Sequence, residues 1–561
     1  MRVLILGGGG REHALALALA RSPSLSSLMC APGNAGIAQL AACHAIDPAD
    51  PAAVVALARA QAVDLVVVGP EAPLAAGVAD ALAAAGVAGW GPSAAAARLE
   101  ASKGFTKALC ASAGIPTAAF ARFTDTGAAL AHVRAHSLPV VIKADGLMAG
   151  KGVVVATTCE EAEEAVCRLG PELVIEEFLD GEEASLFALV DGETVVPFGT
   201  ARDHKRLEDG DRGPNTGGMG AVSPAPALTP ALVEQALERI LRPTARALAA
   251  AGTPFRGFLY AGLMLTAEGP KLIEYNVRLG DPEAQALLPR LRGDLAALLM
   301  AGATGRLAEA PSPDWDPDPA IAVVVAARGY PDAPARGGVV SGLEAAAATG
   351  ATVVHAGTAR DPAGRLIATG GRVLALVGRG PTVAAARAQA YRGVEALDFA
   401  DGVFRRDIAA PAVLFLCLGN ICRSPMAEGL ARAEAGRRGM ALVLDSAGTG
   451  DWHVGHPPDP RAAAEAARHG CDITGQRARK VRATDFHRFP LIVVMDSMNL
   501  ADVEAWRPAG ARARVVRLMD FAPHAGVGDV PDPWHGGPAD FERASRLIRA
   551  GVAGLLDHLA R

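Results

Sequence analysis

No CxxC pair occurs in this chain, and no Cys/His cluster has the intervals of a zinc site. The eight cysteines lie scattered at positions 30, 43, 110, 159, 167, 417, 422 and 471, which suits free thiols in a reducing cytoplasm. Aromatic residues are few, at 4%, so the apolar half of the composition is Ala-rich helix and short Val/Leu/Ile runs. A long basic run is also missing, and with a net charge of −6 this excludes a general nucleic-acid binder. No apolar stretch approaches the length of a membrane span. Val3 to Leu6 gives four apolar residues before Gly7, too few even for a signal-peptide core. A cytoplasmic protein with neither membrane nor nucleic acid as partner is expected.

What is present is a long chain of 561 residues with 63 Gly and 39 Pro. One hydrophobic core does not serve that length, and roughly 150 residues per domain implies about four domains. In the first hundred residues short buried strands (Val3 to Leu6, Asp64 to Val68) alternate with glycine turns and helical stretches such as Arg11 to Ala20. That rhythm predicts a doubly wound parallel sheet over 1–102. From Lys103 the character changes: Val140 to Lys143, Val153 to Val155, Val174 to Phe178 and Leu272 to Asn276 read as strands, the last two carrying carboxylates. A second domain over 103–309 ends at the proline- and acid-rich stretch from Ala310 to Pro319, the clearest linker. A small α+β domain over 320–408 follows. Ala409-Ala410-Pro411 then leads to a separate parallel-sheet α/β domain over 412–561.

Two glycine loops are weak signals alone. Gly7-Gly8-Gly9-Gly10 opens a helix and offers amides to a phosphate, yet His13 stands where a dinucleotide fingerprint needs glycine. Asp145 to Gly152 resembles a Walker loop but lacks its first glycine and its final Ser or Thr. The combination is stronger. ATP needs cations at its phosphates, a backbone hinge for adenine and carboxylates for a divalent metal. Lys103, Lys143 and Lys151 supply the first, Glu176-Glu177-Phe178-Leu179 and Glu183 follow one strand later, and Glu274 and Asn276 share a strand face.

With these motifs in view, the chain from Met1 to about Asp407 resembles phosphoribosylamine–glycine ligase, an ATP-grasp family. The likeness runs through Val3 to Ala14, Ala31 to Gly36, Val68 to Leu74, Ile142 to Val153 and Asp203 to Arg206. It continues through Asn215 to Ala221, Asn276 to Glu283, His355 to Thr358 and Gly370 to Val373. The resemblance implies that ATP phosphorylates glycine and that the amine of 5-phosphoribosylamine attacks the glycyl phosphate. It implies that Lys103 and Lys143 hold the nucleotide phosphates under the Gly150-Lys151-Gly152 loop. Backbone of Glu176, Glu177, Phe178 and Leu179 would meet adenine, and Glu183 the ribose. Glu274 and Asn276 would hold Mg²⁺ or Mn²⁺, and Arg278 would face the acyl phosphate. Gly8, Gly9, Gly10, Glu71, Asp203 and Asp281 are the expected substrate contacts.

Near the C-terminus Val413-Leu-Phe-Leu-Cys417 leads into Leu-Gly-Asn420-Ile-Cys422-Arg423-Ser424-Pro425. A bare Cys-x5-Arg says little, since composition alone yields about one such pair. Cys471 to Arg477 is a decoy of that kind, lacking the buried strand before it and the Ser after it. Cys417 instead ends a buried strand, with a helix starting at Ser424. Successive amides and the Arg423 guanidinium can surround a phosphate, and the same field favours thiolate. Ser424 can donate to that thiolate, and Asn420 can hold the loop. Asp532, stiffened by flanking prolines, is the candidate proton donor to the leaving group.

The segment from Pro411 to Arg561 resembles low-molecular-weight protein tyrosine phosphatases, through Cys417 to Pro425, Ser446 to Gly450, Val494 to Asp496 and Asp532 to Trp534. The resemblance implies attack by Cys417 on phosphorus, protonation by Asp532 and hydrolysis of a phosphocysteine. Trp452 and Trp534 would line the mouth and suit phosphotyrosine proteins as partners, and Cys422 would protect Cys417 as a reversible disulfide. Two alternatives stay open: an arsenate reductase, short of resolving cysteines here, and a phosphate-sensing module without turnover.

Overall fold

Val3, Leu4, Ile5 and Leu6 are all fully buried, which is why an unbroken apolar run encodes this strand: helices cover both faces of a parallel sheet. In the computed structural model, which describes residues 1–146, 152–508, 511 and 513–560, Arg2–Gly7 is the middle strand of five. The order is Ala42–Cys43, Ser27–Pro32, Arg2–Gly7, Leu65–Val68, Ala88–Trp90, every pairing parallel. The helix Gly10–Leu19 starts directly after the central strand, at the carboxyl edge where open α/β sheets bind ligands.

Between residues 103 and 409 the sheets are antiparallel. A four-stranded sheet orders Phe120–Phe123, Leu173–Glu177, Val140–Ala144 and Val153–Ala156. A larger one runs Gly269–Asn276, Arg256–Thr266, Glu182–Asp191, Thr194–Asp203, Gly220–Ser223, Ala320–Ala327, Arg372–Arg379, Thr352–His355. The strands after residue 320 thus continue the sheet before them, joined where Gly220–Ser223 pairs with Ala320–Ala327. The stretch between is extended, as its prolines predict, but it is packed rather than free. Asp314–Trp315 pairs with Leu291–Arg292, and the Trp315 ring lies 5.2 Å from Phe198.

The chain divides into Met1–Ala409 and Ala410–Arg561. In the second unit Ala412–Cys417 sits between Val443–Gly448 and Leu491–Val494, with Arg514–Arg517 outside, all parallel. Among the described residues no helix is long and apolar enough to cross a membrane.

Three histidines of the first unit are buried and uncharged. Burial, with His355 nearby, pushes His13 down to about 3. Burial and Arg360 take His355 to about 4, and burial with Arg202 and Arg405 takes His204 to about 3. The unfolded chain binds these protons below about pH 6.5 and the fold does not, so stability is complete above that pH and drains away toward pH 4. We expect the melting temperature to fall across this window. His13 Nδ1 accepts from the His355 amide at 2.7 Å. His13→Asn keeps an acceptor without a titrating ring and should flatten the fall; an equally steep decline would refute the assignment.

Candidate active sites

Glu274 and Asn276 enter a cleft whose other lining includes Lys103, Lys107, Lys143 and Glu176. Their strand, Gly269–Asn276, has its alternation interrupted opposite Gly262, yet both side chains still reach the cleft. Lys103 is the first residue of the helix Lys103–Ala113, which Ser102 caps, and its Nζ donates to Gly146 O at 2.9 Å. Lys107, one turn later, meets Glu176 Oε2 at 3.0 Å, and Lys143 meets Glu176 Oε1 at 2.9 Å. Burial lowers the Lys103 pKa, with Lys143 pushing the same way and Glu274 opposing. Three ammonium groups therefore face Glu176 and Glu274, while the third lining carboxylate, Glu100, is taken up by Arg278, an arrangement that an anion completes. Lys107 was legible in principle, since position i+4 on a helix shares a face with Lys103.

The expected adenine hinge begins inside the strand Leu173–Glu177 and leaves it at Phe178, whose ring is exposed. Glu183 is not in the cleft lining; its carboxylate pairs with Lys205 Nζ at 2.5 Å. Lys205 follows Asp203, whose pKa burial pushes up to about 7, with Glu283, Glu183 and Glu274 adding to the rise and Lys205 opposing it. Asp203, Lys205 and Glu283 thus connect electrostatically with the Glu274 side of the cleft. Gly150 and Lys151 lie outside the described residues, and Gly152 immediately precedes the strand Val153–Ala156.

A second group forms where the first sheet meets the run after Asn276. Arg278 donates to Glu100 at 2.7 Å and to Glu71 at 3.3 Å. Asp281 Oδ2 accepts from the Arg11 amide at 3.3 Å, and a Cβ placed on Gly9 would lie 3.4 Å from the same oxygen. Gly10 faces Gln285, leaving 2.4 Å for a Cβ. The glycine loop, Glu71, Arg278 and Asp281 are therefore neighbours. Glu100, supplied by another helix, was not anticipated.

The metal implied for this site needs hard oxygen donors. Glu274 and Asn276 provide a carboxylate and an amide oxygen, and among the described residues no group of three or more His, Cys, Asp or Glu forms a cage. Two protein oxygens with nucleotide phosphates and water completing the shell is how Mg²⁺ and Mn²⁺ sites of this kind are built, so the residues fit.

In the second unit Cys417 ends its strand almost wholly buried, with Sγ 3.0 Å from Ser424 Oγ. Asn420 takes a positive φ of 53° and donates through Nδ2 to Ser424 Oγ at 2.9 Å and Ser446 Oγ at 3.0 Å. Its Oδ1 accepts from the Arg479 amide. Because Asn420 fills an acceptor position of Ser424, the serine hydrogen is left to turn toward Sγ or Ala447 O. The helix Arg423–Arg437 begins at the loop and aims its first amides into it.

Arg423 is held by Asp496 Oδ2 at 2.5 Å, Asp532 Oδ2 at 2.6 Å and Val530 O at 3.0 Å. Its Nε is buried without a partner, a donor that suits an oxyanion in the loop. Burial works against the Arg423 charge, but Cys417 and the two aspartates leave its pKa raised. Cys422 lines the same cleft, and burial, with Asp459 and Cys417, pushes its thiol well up, so it stays protonated. The cleft, about 330 Å³, opens between Trp452, His453 and Trp534, with Asp532 at its edge. Asp496, which fixes Arg423 from the N-cap of the helix Ser497–Ala505, entered the sequence reading only as the end of the Val494–Asp496 motif, with no role given. Cys471 lies after the helix Pro460–Arg468 and does not line this cleft, as expected of a decoy.

Comparison with known proteins decides the family. The N domain of phosphoribosylglycinamide synthetase matches residues 1–100, its ATP-grasp (A) domain 101–284 and its C domain 320–411. The chain belongs to the phosphoribosylamine–glycine ligase family. It is similar to the phosphoribosylamine–glycine ligase of Mesorhizobium japonicum, 54% identical over 74% of this chain and 99% of the relative. That of Brucella melitensis is 52% identical over 74% and 98%. The solved structure of the Thermotoga maritima ligase covers 73% of this chain and all of its own, with 34% identity and a TM-score of 0.63. Residues 412–561 match the low molecular weight phosphotyrosine protein phosphatase family. The protein is thus an ATP-grasp ligase carrying a phosphatase-family domain, and both resemblances read from its motifs hold.

Proposed function

We propose that the first unit joins glycine to 5-phosphoribosylamine with ATP, giving glycinamide ribonucleotide, ADP and phosphate, and that the second hydrolyses phosphotyrosine-like monoesters in the cytoplasm. The observation that carries the first reading is the single cleft holding Lys103, Lys143, Glu274 and Asn276. Lys103 and Lys143 hold the nucleotide phosphates, backbone from Glu176 to Leu179 meets adenine, and Glu183 with Lys205 lies on the ribose side. Glu274 and Asn276 hold Mg²⁺ or Mn²⁺, which neutralises charge on the phosphates when bound. The glycine carboxylate takes the γ-phosphoryl group, and the amine of phosphoribosylamine, seated by the Gly8–Gly10 amides, Glu71 and Asp281, displaces it. Arg278, held by Glu71 and Glu100, faces the acyl phosphate. Asp203 is near the ammonium or amine of the reactants. No side chain need act as nucleophile; rate comes from positioning and from excluding water.

ADP release measured on the whole chain tests this. It should require glycine and phosphoribosylamine together. Release driven equally well by another carboxylate would assign a different ATP-grasp reaction.

For the second unit the carrying observation is Cys417 Sγ beside the Ser424 hydroxyl, under Arg423 and within the same cleft as Asp532. Cys417 attacks phosphorus, Asp532 protonates the leaving oxygen, and water cleaves the phosphocysteine. Trp452 and Trp534 favour an aromatic leaving group. An arsenate reductase would need another thiol in reach after Cys422, and Cys471 is not in the cleft. A non-catalytic sensor would need neither the Ser424 contact nor Asp532.

A further inference from the structure

The two-residue strand Ala42–Cys43 lies at the edge of the parallel sheet, and Cys43 is the register partner of Cys30 on Ser27–Pro32. Neighbouring strands run about 4.8 Å apart, inside the roughly 4.4–6.8 Å between Cα atoms that a disulfide spans. The surroundings of Gly33 locate both side chains. A Cβ placed there would be 2.5 Å from Cys43 Sγ, 3.4 Å from Cys43 Cβ and 3.6 Å from Cys30 Cβ. Cys43 is exposed and open to an oxidant, whereas Cys30 is fully buried beneath it.

Cys30 also supports the glycine loop. Cys30 Sγ–H donates to Gly7 O at 3.1 Å, and the Gly33 amide donates to the same oxygen at 3.2 Å. Gly33 O packs so closely on Gly8 that a Cβ there would lie 2.4 Å from it. Sulfur, Gly33 and the loop therefore form one stack.

We propose that Cys30 and Cys43 are a thiol pair that peroxide oxidises to a disulfide, and that the disulfide loosens the Gly7–Gly10 loop and weakens binding of the phosphorylated amine. The effect on binding rests on reading that loop as the phosphoribosylamine site. The chemistry takes two steps. Cys43 sulfur attacks a peroxide oxygen, the O–O bond breaks, and a sulfenic acid and water form. Cys30 sulfur then displaces the sulfenic oxygen as a second water, so two thiols and one hydrogen peroxide give one disulfide and two waters. The S–H donor to Gly7 O is lost, and Cys43 Sγ is drawn off Gly33. Burial, with Cys43 and Glu12, pushes the Cys30 thiol up, and burial raises Cys43. Thiolate is the reactive form, so oxidation quickens as pH rises above neutral.

The test treats the whole chain with hydrogen peroxide, blocks remaining thiols, maps peptides by mass spectrometry and measures ligase kinetics. A Cys30–Cys43 cross-linked peptide should appear, with KM for phosphoribosylamine raised about fivefold, the scale of one lost hydrogen bond. Dithiothreitol should reverse both changes. Cys43→Ser should match the untreated chain in basal kinetics and resist peroxide. Failure to find the cross-link, or equal inactivation of Cys43→Ser, would overturn the thiol pair; a cross-linked chain with unchanged KM would overturn its effect on the loop. Gly9→Ala in the reduced chain separates the underlying reading, because its Cβ would crowd Glu12 Oε2 at 2.8 Å. Unchanged phosphoribosylamine KM in that variant would condemn the loop as substrate site, while the mapped cross-link still decides the thiol pair.

Discussion

Serine at position 417 is expected to abolish hydrolysis of p-nitrophenyl phosphate, by about 10³-fold or more, while ligase turnover by the same chain is unchanged. The size follows from what the loop does for sulfur alone. Cys417 Sγ lies 3.0 Å from Ser424 Oγ at the start of the helix Arg423–Arg437, a setting that stabilises a soft anion. A serine hydroxyl is a far weaker acid than a thiol and stays protonated there. Arg423, Asn420 and Ser424 would still form the anion pocket, so the variant should keep binding inorganic phosphate or vanadate. That retention separates loss of chemistry from loss of fold. Residual hydrolysis within about tenfold of the parent would mean that another nucleophile acts and that the assignment of Cys417 is wrong.

Much of this site was legible because its information is local. Val413 to Leu416 is an apolar run long enough for a strand buried on both faces, and the residues from Cys417 to Ser424 are contiguous, so one strand–loop–helix unit carries nucleophile, loop and cation. The same holds for Val3 to Gly10. Legibility fails where partners come from far along the chain. Arg278 is clamped by Glu100, 178 positions away, and Arg423 by Asp496, 73 away. Nothing in local periodicity selects one carboxylate among 60 for such a contact. The stretch from Ala310 to Pro319 shows the limit differently. Proline and acid content correctly imply extended backbone, but whether that backbone floats or packs depends on Phe198 and Leu291–Arg292, which its own composition does not report. Ala320–Ala327, all eight residues buried, reads as the start of another domain, and the family's C domain matches from the same residue. What stays hidden is its pairing with the sheet before it. Its partner Gly220–Ser223 is a four-residue strand too short to advertise that the sheet continues.

Alanine at position 274 is the corresponding test of the ligase, and we expect kcat to fall at least about a hundredfold, with hydrolysis of p-nitrophenyl phosphate intact. Among the described carboxylates lining the cleft, Glu100 is paired with Arg278 at 2.7 Å and Glu176 is committed to two of the lysines at 3.0 and 2.9 Å. Glu274 is thus the carboxylate still free to take a metal ion beside the phosphates, with Asn276 two residues on along the strand. Removing it leaves the lysines, so the nucleotide should still bind; the loss should fall on kcat more than on the KM for ATP. Glu274→Gln, isosteric but uncharged, should behave almost as badly, whereas Glu274→Asp should recover part of the rate at raised metal concentration. If Glu274 served only to balance Lys103, the glutamine variant would weaken ATP binding little and leave kcat near the parent value, and metal concentration would not matter. That pattern would remove Glu274 from the chemistry and move the search for the metal ligand to Glu283, Asp203 and Glu183, carboxylates electrostatically tied to this end of the cleft.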